Sequence, residues 1–329
     1  MRTLILIEPL IHYLPFESLL DCLSNLTTSL RFLDTILIVV VRMRGLNTYE
    51  LGSEIQGKFS SADIGARSWK FKGKNTCVQT TNTGESLPKK VGRTHFIFDR
   101  VFDEYASTKE IYEKSSRDIV KNCVGGISGS IIAYGQTGAG KTYTMQGDGS
   151  FKEGALKNEG VIHMAIQDLF SELAEYPNSA FLLRLSVIEV YNEEIRDLLN
   201  PSKKAVTTRY DSKLGLFVLS KEEFVIDYNR MIELLSIADA NRMVSSTGMN
   251  ERSSRSHTVY KITIERKDVL DRSAGPVDLS EVEEDGEPIH VSTLNFVDLA
   301  GSDTVRRIDK SDDDIQKEGS NINKRYVSV

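Results

Sequence analysis

The segment Gly135-Gln-Thr-Gly-Ala-Gly-Lys-Thr142 constrains this chain more than any other feature. It matches the pattern G-x-x-x-x-G-K-[ST] and follows the apolar stretch Ser130–Tyr134, which predicts a strand. A glycine-rich turn between strand and helix lets backbone N–H groups converge on phosphate oxygens, and the helix start adds its positive dipole end. The four fixed positions would match by chance in about one chain in a hundred of this length. The sequence therefore predicts a nucleotide-binding loop, and leaves the nucleotide and its use open.

Two residues of this loop have predicted chemical roles. Lys141 is expected to reach the β- and γ-phosphates, and the Thr142 hydroxyl to ligate Mg²⁺. The predicted nucleotide-binding residues of the loop are Gly135, Gln136, Thr137, Gly138, Ala139, Gly140, Lys141 and Thr142.

A second motif is the apolar strand that ends in Val297-Asp298-Leu-Ala-Gly301. A carboxylate at the carboxyl end of a strand, beside a phosphate loop, is where such enzymes hold Mg²⁺. Taken alone, an aspartate in this position is more often a turn former. Together with the phosphate loop, Asp298 becomes the candidate metal residue.

A third motif, Asn250-Glu-Arg-Ser-Ser-Arg-Ser-His257, is rich in hydroxyls and cations. Its serines are suited to ligating Mg²⁺ or positioning water, and its arginines to pairing with phosphate or a carboxylate. The alternative interpretation is a polar surface loop, which spacing alone favours.

Strand and helix signals alternate along the chain and predict an α/β sheet with helices on both faces. The apolar run Ile36–Val41 suits a buried central strand, and Ser107 with Glu110 forms a capping box that opens a helix. The other strand signals are Ser68–Lys72, Cys77–Thr80, Thr94–Asp99, Phe181–Tyr191, Val259–Glu265 and Val291–Val297, and the other helical signals are Val161–Leu173, Glu193–Leu199 and Tyr228–Met243.

Composition excludes several classes of protein. The 329 residues are 40% hydrophobic and 27% charged, which is enough for one large core. The formal charge of −6 gives no sign of a nucleic-acid partner, and no apolar run approaches the roughly 20 residues that span a bilayer. Cys22, Cys77 and Cys123 are widely spaced, which favours reduced thiols in the cytosol.

Residues 1–35 form an extension of unknown status that we do not connect to the rest of the chain. The start faintly resembles a secretory signal, but Glu8, Pro9 and His12 interrupt the apolar region. We therefore begin the predicted domain at residue 36 and extend it to residue 329.

The three motifs together resemble those of the kinesin superfamily of motor domains. Gly135–Thr142 followed by Tyr-Thr-Met145 is similar to its phosphate loop, Asn250–His257 to its switch I and Asp298–Ser302 to its switch II, in that order. The stretch Phe98–Phe102 favours the centromere-associated, CENP-E-like subfamily. Further matches are Val41–Arg44, Tyr191–Leu199 and Glu318–Lys324, so that the resemblance covers about residues 36–324.

The resemblance implies a P-loop NTPase fold with a central, mostly parallel sheet, and microtubule-stimulated hydrolysis of ATP with Mg²⁺, coupled to movement along microtubules. It further implies that Arg42, Arg44 and Tyr143 flank the adenine, with the aromatic ring stacking on its face. Location in the cytoplasm, on the cytoskeleton, follows from the same resemblance, with no nucleic-acid or membrane partner.

The resemblance also assigns the catalytic residues. Ser253 and Ser254 would close on the γ-phosphate, the attacking water and Mg²⁺, and the Gly301 amide would sense the γ-phosphate. Arg255 would pair with the acidic residue of switch II, which is Asp303 here where the family usually has glutamate. If the shorter acid fails to close this pair, nucleotide binding should survive while hydrolysis slows.

The end of the chain departs from the family pattern. Asp312–Asp314 add negative charge where the family loop is often basic, which predicts weak affinity for acidic microtubules. The resemblance stops after Lys324, so we expect a partial domain that lacks the last helices, a central strand and the neck linker, and is poorly stable for that reason.

Two other functions remain open at this point. One is a kinesin-like module that binds nucleotide or tubulin without stepping, which Asp303, Asp312–Asp314 and the missing neck support. The other is a different phosphate-loop NTPase, which a preference for GTP would indicate. Cargo, direction of travel and oligomeric state depend on segments beyond the resemblance.

Overall fold

The computed structural model describes part of the chain, in eleven stretches. These are residues 2–8, 36–44, 69–79, 95–148, 151, 158–192, 194–202, 206–211, 215–245, 255–268 and 289–302.

Fourteen strands and five α-helices are formed by these residues. The strands are β1 (Arg2–Glu8), β2 (Ile36–Arg42), β3 (Trp69–Lys72), β4 (Thr76–Gln79), β5 (His95–Ile97), β6 (Arg100–Phe102), β7 (Gly129–Gly135), β8 (Ser179–Tyr191), β9 (Glu194–Asp197), β10 (Thr208–Asp211), β11 (Gly215–Val218), β12 (Glu223–Val225), β13 (His257–Asp268) and β14 (His290–Asp298). The helices are α1 (Thr108–Ile111), α2 (Arg117–Val124), α3 (Lys141–Gln146), α4 (Val161–Ala174) and α5 (Tyr228–Ser245), and a π-helical segment (Tyr112–Ser116) joins α1 to α2.

A nine-stranded sheet forms the centre of the fold, in the order β12-β8-β13-β14-β7-β1-β2-β6, with β9 paired to β8. The strands from β14 to β6 are parallel to their neighbours. Those from β12 to β14, and β9 on β8, are antiparallel. The expected mostly parallel sheet is therefore mixed, because one half is built from hairpin-like antiparallel neighbours.

The two faces of the sheet pack against different layers, since side chains alternate along each strand. Val40 and Ile131 enter a cluster with apolar residues from all five helices, whereas the neighbouring Val41 enters a second cluster. Cys77 and Phe96, from the small sheet β3-β4-β5, cover that second face. Within the described part of the chain the helices contribute only to the first cluster, and the expectation of helices on the other face stays a prediction.

The position of β1 corrects the expected domain boundary at residue 36. Arg2–Glu8 lies between β7 and β2 and is parallel to both, with Leu4 opposite Ile131 on one side and Ile38 on the other. Leu4 is fully buried in the first core cluster. A strand that is apolar on both faces suits an interior position in a parallel sheet. The centre of the described sheet is thus filled by a strand from the region that the sequence left unassigned.

Most of the strand and helix signals are confirmed, and so is the Ser107 half of the capping box, whereas the Glu110 carboxylate pairs with Lys114. The Ser107 side chain accepts a hydrogen bond of 3.1 Å from the Glu110 amide and begins α1. The helical signal at Glu193–Leu199 is wrong, because Glu194–Asp197 pairs with β8 as a strand. Asn192, at φ 45°, turns the chain back.

The carboxylate of Asp197 shows what outweighs the helical signal. It is buried and accepts hydrogen bonds from the backbone amides of Leu199, Asn200 and Lys221 at 2.6 to 3.1 Å. These bonds tie the end of the hairpin to a segment more than twenty residues away. Tertiary contacts of this kind override local helix propensity.

Replacement of Leu4 tests the place of β1 in the sheet. Leu4→Ala should lower the free energy of unfolding by about 2–5 kcal/mol, because it leaves a cavity in the core. Ile36→Ala, on the adjacent strand at a side chain 55% exposed, should change it by less than about 0.5 kcal/mol. Urea unfolding of the full chain, followed by circular dichroism, measures both. Equal effects of the two substitutions would show that β1 is not packed in solution.

His163 predicts how stability depends on pH. It is buried on α4, its ring stacks on Phe151 with centroids 4.5 Å apart, and burial lowers its pKa below 6.5, although Glu159 and the Gln146 backbone oppose this. As the pH falls below 6.5 the unfolded chain binds a proton here before the folded chain does, so stability falls between 6.5 and the lower folded-state pKa. His163→Leu should reduce the loss of unfolding free energy between about pH 7.5 and about pH 5.5. If the unfolding free energies of the wild type and of His163→Leu fall equally with pH over this range, the prediction is contradicted.

Candidate nucleotide site

The loop between β7 and α3 has the backbone that a phosphate-binding loop requires. Gly138 and Gly140 have φ angles of +79° and +109°, in the left-handed region that glycine adopts without strain. The Gly140 carbonyl then accepts a hydrogen bond of 2.8 Å from the Thr144 amide and begins α3. Residues 136–140 therefore form a compact turn from the carboxyl end of a buried strand directly into a helix.

The ammonium group of Lys141 lies over this loop. It donates hydrogen bonds of 2.9 Å to the carbonyl oxygens of Gly135 and Gln136, and the side chain is 7% exposed. A buried cation is costly unless it is paired or hydrogen-bonded. The loop carbonyls thus hold a positive charge where an anion entering the loop would meet it.

Thr142 and Asp298, predicted separately from the sequence, are in direct contact. The Thr142 hydroxyl donates a hydrogen bond of 2.7 Å to Asp298 Oδ2. Asp298 is 1% exposed, and among the described residues its Oδ1 has no hydrogen-bond partner. A buried carboxylate oxygen without a partner needs a cation or an ordered water to satisfy it. The Thr142–Asp298 pair therefore has the chemistry of a site for a hard cation.

Arg242, on α5, is a member of the site that the sequence interpretation missed. Its Nη1 lies 3.5 Å from Asp298 Oδ2, and the side chain is almost fully buried. Burial lowers the pKa of Arg242, but Asp298 and the nearby Tyr260, Glu189 and Asp239 outweigh it and raise this pKa above its ordinary value. Arg242 is thus a buried cation that pairs with the same carboxylate oxygen of Asp298 that Thr142 contacts. No sequence pattern distinguishes it from other arginines on α5.

The residues expected around the adenine meet at the other end of the loop. The Arg42 guanidinium lies 5.4 Å from the centre of the Tyr143 ring, a cation–π distance, and it donates a hydrogen bond to the Thr144 hydroxyl. Arg44 follows on the same extended segment, which the Met43 amide fixes in the sheet. Arg42 and Tyr143 thus come together from segments about a hundred residues apart.

The segment after β14 runs alongside the phosphate loop. The Leu299 amide donates to the Ala133 carbonyl at 3.3 Å, and the Ser302 amide donates to the Gly135 carbonyl at 3.0 Å. Gly301, predicted to sense the γ-phosphate, is buried between these anchors. The structure therefore places Gly301 next to the first residue of the loop.

The remaining predicted site residues are only partly described. Arg255 is half-buried two residues before the start of β13, whereas Ser253, Ser254 and Asp303 lie outside the described residues. The expected pair of Arg255 with Asp303 stays a prediction.

The described residues contain no group of three or more His, Cys, Asp or Glu side chains that could hold a metal ion. Among the same residues, no helix is both long and apolar enough to cross a membrane.

Arg242 generates a prediction about stability. Arg242→Leu should lower the free energy of unfolding by about 3–5 kcal/mol, because Asp298 is left buried without its cation. Arg230→Leu, on the same helix but pairing near the surface with Glu233 and Glu223, should cost less than about 1 kcal/mol. Adding Asp298→Asn to Arg242→Leu should recover part of the loss. An additive double variant, with no recovery, would contradict the pairing.

Comparison with known proteins identifies the family. The kinesin motor domain family matches residues 42–327. The rice protein "Kinesin-like protein KIN-7I" is 35% identical over 82% of this chain and 20% of its own length. "Kinesin-like protein KIN-7K, chloroplastic" from Arabidopsis thaliana is 39% identical over 71% of this chain and 22% of its own length, and "Kinesin-related protein 11" from Dictyostelium discoideum is 37% identical over 74% and 34%.

The fold agrees with a solved kinesin. The structure described as "Structure of a fast kinesin: Implications for ATPase mechanism and interactions with microtubules" has a TM-score of 0.67 and 28% identity, and the match covers 88% of this chain and 71% of that one. The relatives named above are KIN-7 kinesins and a kinesin-related protein, so a likeness to KIN-7 replaces the CENP-E-like subfamily expected from Phe98–Phe102. The chain spans about a fifth to a third of the length of these curated relatives. It belongs to the kinesin family of motor domains.

Proposed function

We propose that this chain binds and hydrolyses ATP with Mg²⁺, that microtubules stimulate the hydrolysis, and that the whole protein moves along them. The observation that supports this most strongly is the contact between Thr142 and Asp298 at the mouth of the phosphate loop. This contact joins the loop to the end of β14. It brings together a hydroxyl and a partly unsatisfied carboxylate, and these two groups are suited to binding a nucleotide-bound cation.

The nucleotide is proposed to lie along the loop from Tyr143 to Gly135. Arg42, Arg44 and Tyr143 border the adenine, and the Tyr143 ring, 39% exposed, offers a face for stacking. The triphosphate occupies residues 135–142, where Lys141 exchanges its bonds to loop carbonyls for phosphate oxygens. The geometry restricts where the phosphates lie, and this positioning supplies much of the rate enhancement in phosphoryl transfer.

The residues present fit a magnesium ion. Thr142 and Ser254 would supply hydroxyl oxygens, and Asp298 would hold the ion's water through its buried Oδ1, which lacks a partner among the described residues. When bound, Mg²⁺ neutralises charge on the β- and γ-phosphate oxygens. Arg242 keeps the Asp298 carboxylate in one orientation throughout.

Hydrolysis is proposed to depend on the two switch segments. Ser253 and Ser254 orient the attacking water, the Gly301 amide donates to the γ-phosphate, and Arg255 with Asp303 closes the site. Loss of the γ-phosphate removes the group that holds these segments, and they rearrange in response. Asp303 is one methylene shorter than glutamate, so this closing pair is the step at which we expect turnover to be slow.

The proposed partner is the microtubule, with weak binding because Asp312–Asp314 would face an acidic polymer. We also propose that the protein acts in the cytoplasm, on the cytoskeleton, without a nucleic-acid or membrane partner.

ATP turnover by the purified full chain, with and without microtubules, tests the proposal. Turnover should rise when microtubules are added, and Lys141→Ala should lower it by about 100-fold or more, because phosphate charge loses its buried partner. Lys121→Ala, an exposed lysine near Glu172 on the helical layer, should leave it unchanged.

Other outcomes of this assay identify the alternatives. Nucleotide binding without turnover, and without stimulation by microtubules, would contradict the proposal and indicate a binding module that does not step. A clear preference for GTP over ATP would indicate another class of NTPase.

A further inference from the structure

His257, the first residue of β13, contacts the backbone of switch II. The pairing of Thr258 with Asp298 places His257 beside the residues that follow β14. There the Ala300 amide donates a hydrogen bond of 3.1 Å to His257 Nδ1, and both residues are at most 1% exposed. A side chain that ends switch I thus holds a main-chain group of switch II in the protein interior.

This bond completes a row of anchors along switch II. The amides of Leu299 and Ser302 donate to carbonyl groups of β7, and the Ala300 amide donates to His257. The Gly301 amide, lying between the last two anchors, makes no hydrogen bond within the described part of the chain. The amides of Leu299, Ala300 and Ser302 are therefore held in place. They determine the direction of the Gly301 amide that lies among them.

We propose that His257 is a positioning residue for ATP hydrolysis, which holds Ala300 so that the next amide, that of Gly301, points to the γ-phosphate. The inference rests on the proposed function, since it assigns how that same site is aligned. His257 touches no substrate in this arrangement. It acts through the backbone of switch II and couples the start of β13 to the end of β14.

The chemistry of the contact restricts which side chains can replace His257. With Nδ1 accepting from a backbone amide, the neutral ring carries its proton on Nε2. Asparagine places its carbonyl oxygen as many bonds from the backbone as Nδ1 and keeps an acceptor there. Glutamine places its amide one bond further out, and leucine offers no acceptor for the Ala300 amide.

The test compares His257→Leu, His257→Gln and His257→Asn in the full chain. His257→Leu and His257→Gln should lower kcat for ATP about 10- to 100-fold, because a small misplacement of the reacting groups is enough. The affinity for ATP with Mg²⁺ should change less than about threefold, because the loop contacts are untouched. His257→Asn should recover most of kcat.

Hydrogen exchange reports on the contact directly. The amide of Ala300 should exchange slowly in the wild type and in His257→Asn, and faster in His257→Leu. The matched control is His163→Leu, which removes another buried imidazole that packs on Phe151. It should leave kcat per folded molecule unchanged.

Two results would overturn the inference. One is that kcat falls no further in His257→Leu than in His163→Leu once thermal unfolding has corrected for the folded fraction. The other is that His257→Asn is as slow as His257→Leu. Failure of the proposed function looks different, because the wild-type chain would then turn over ATP no faster than Lys141→Ala.

Discussion

The parallel pairing of β14 with β7 is the constraint on which the site depends. Asp298 lies opposite Ala133, two residues before the phosphate loop begins. Because parallel strands end at the same edge of a sheet, the carboxylate that ends one strand lies next to the loop that follows the other. The amide of Leu299 continues the ladder onto β7. The loop that follows β7 and the segment that follows β14 are thereby linked through backbone pairing, before any side chain is considered.

Buried charges of both signs lie at this edge of the sheet. Arg242 lies 3.5 Å from Asp298, and the buried acids Asp239 and Glu189 also help to raise its pKa. In a region of low dielectric, an excess of carboxylates is stabilised by a bound cation. One arginine orients Asp298 without neutralising the cluster. A hydrophobic residue in place of Arg242 would leave the Asp298 carboxylate buried without a paired cation.

The sequence predicted the parts of the site that local motifs determine. The loop Gly135–Thr142 is a contiguous pattern, and Asp298 ends a recognisable strand, so both became candidates without knowledge of the fold. Arg242 could not be found this way, because burial of an arginine depends on what packs against it. The helix predicted at Glu194–Asp197 is wrong for the same reason, since a hairpin and a buried aspartate override a helical signal. Roles at Ser253 and Asp303 come only from the family resemblance.

The position of β1 in the sheet could not be predicted from the sequence, because its partner strands are distant along the chain. Arg2 lies opposite Gly129, and Leu-Ile-Leu-Ile is equally compatible with a strand anywhere in a buried sheet. Its position has a consequence for the site. The strand β7, which ends in the phosphate loop, is flanked by β14 on one side and β1 on the other. Burial of Leu4 on the helical face supports β7 from the side opposite Asp298. The alignment of the phosphate loop therefore depends on the first residues of the chain as well as on the switch II strand.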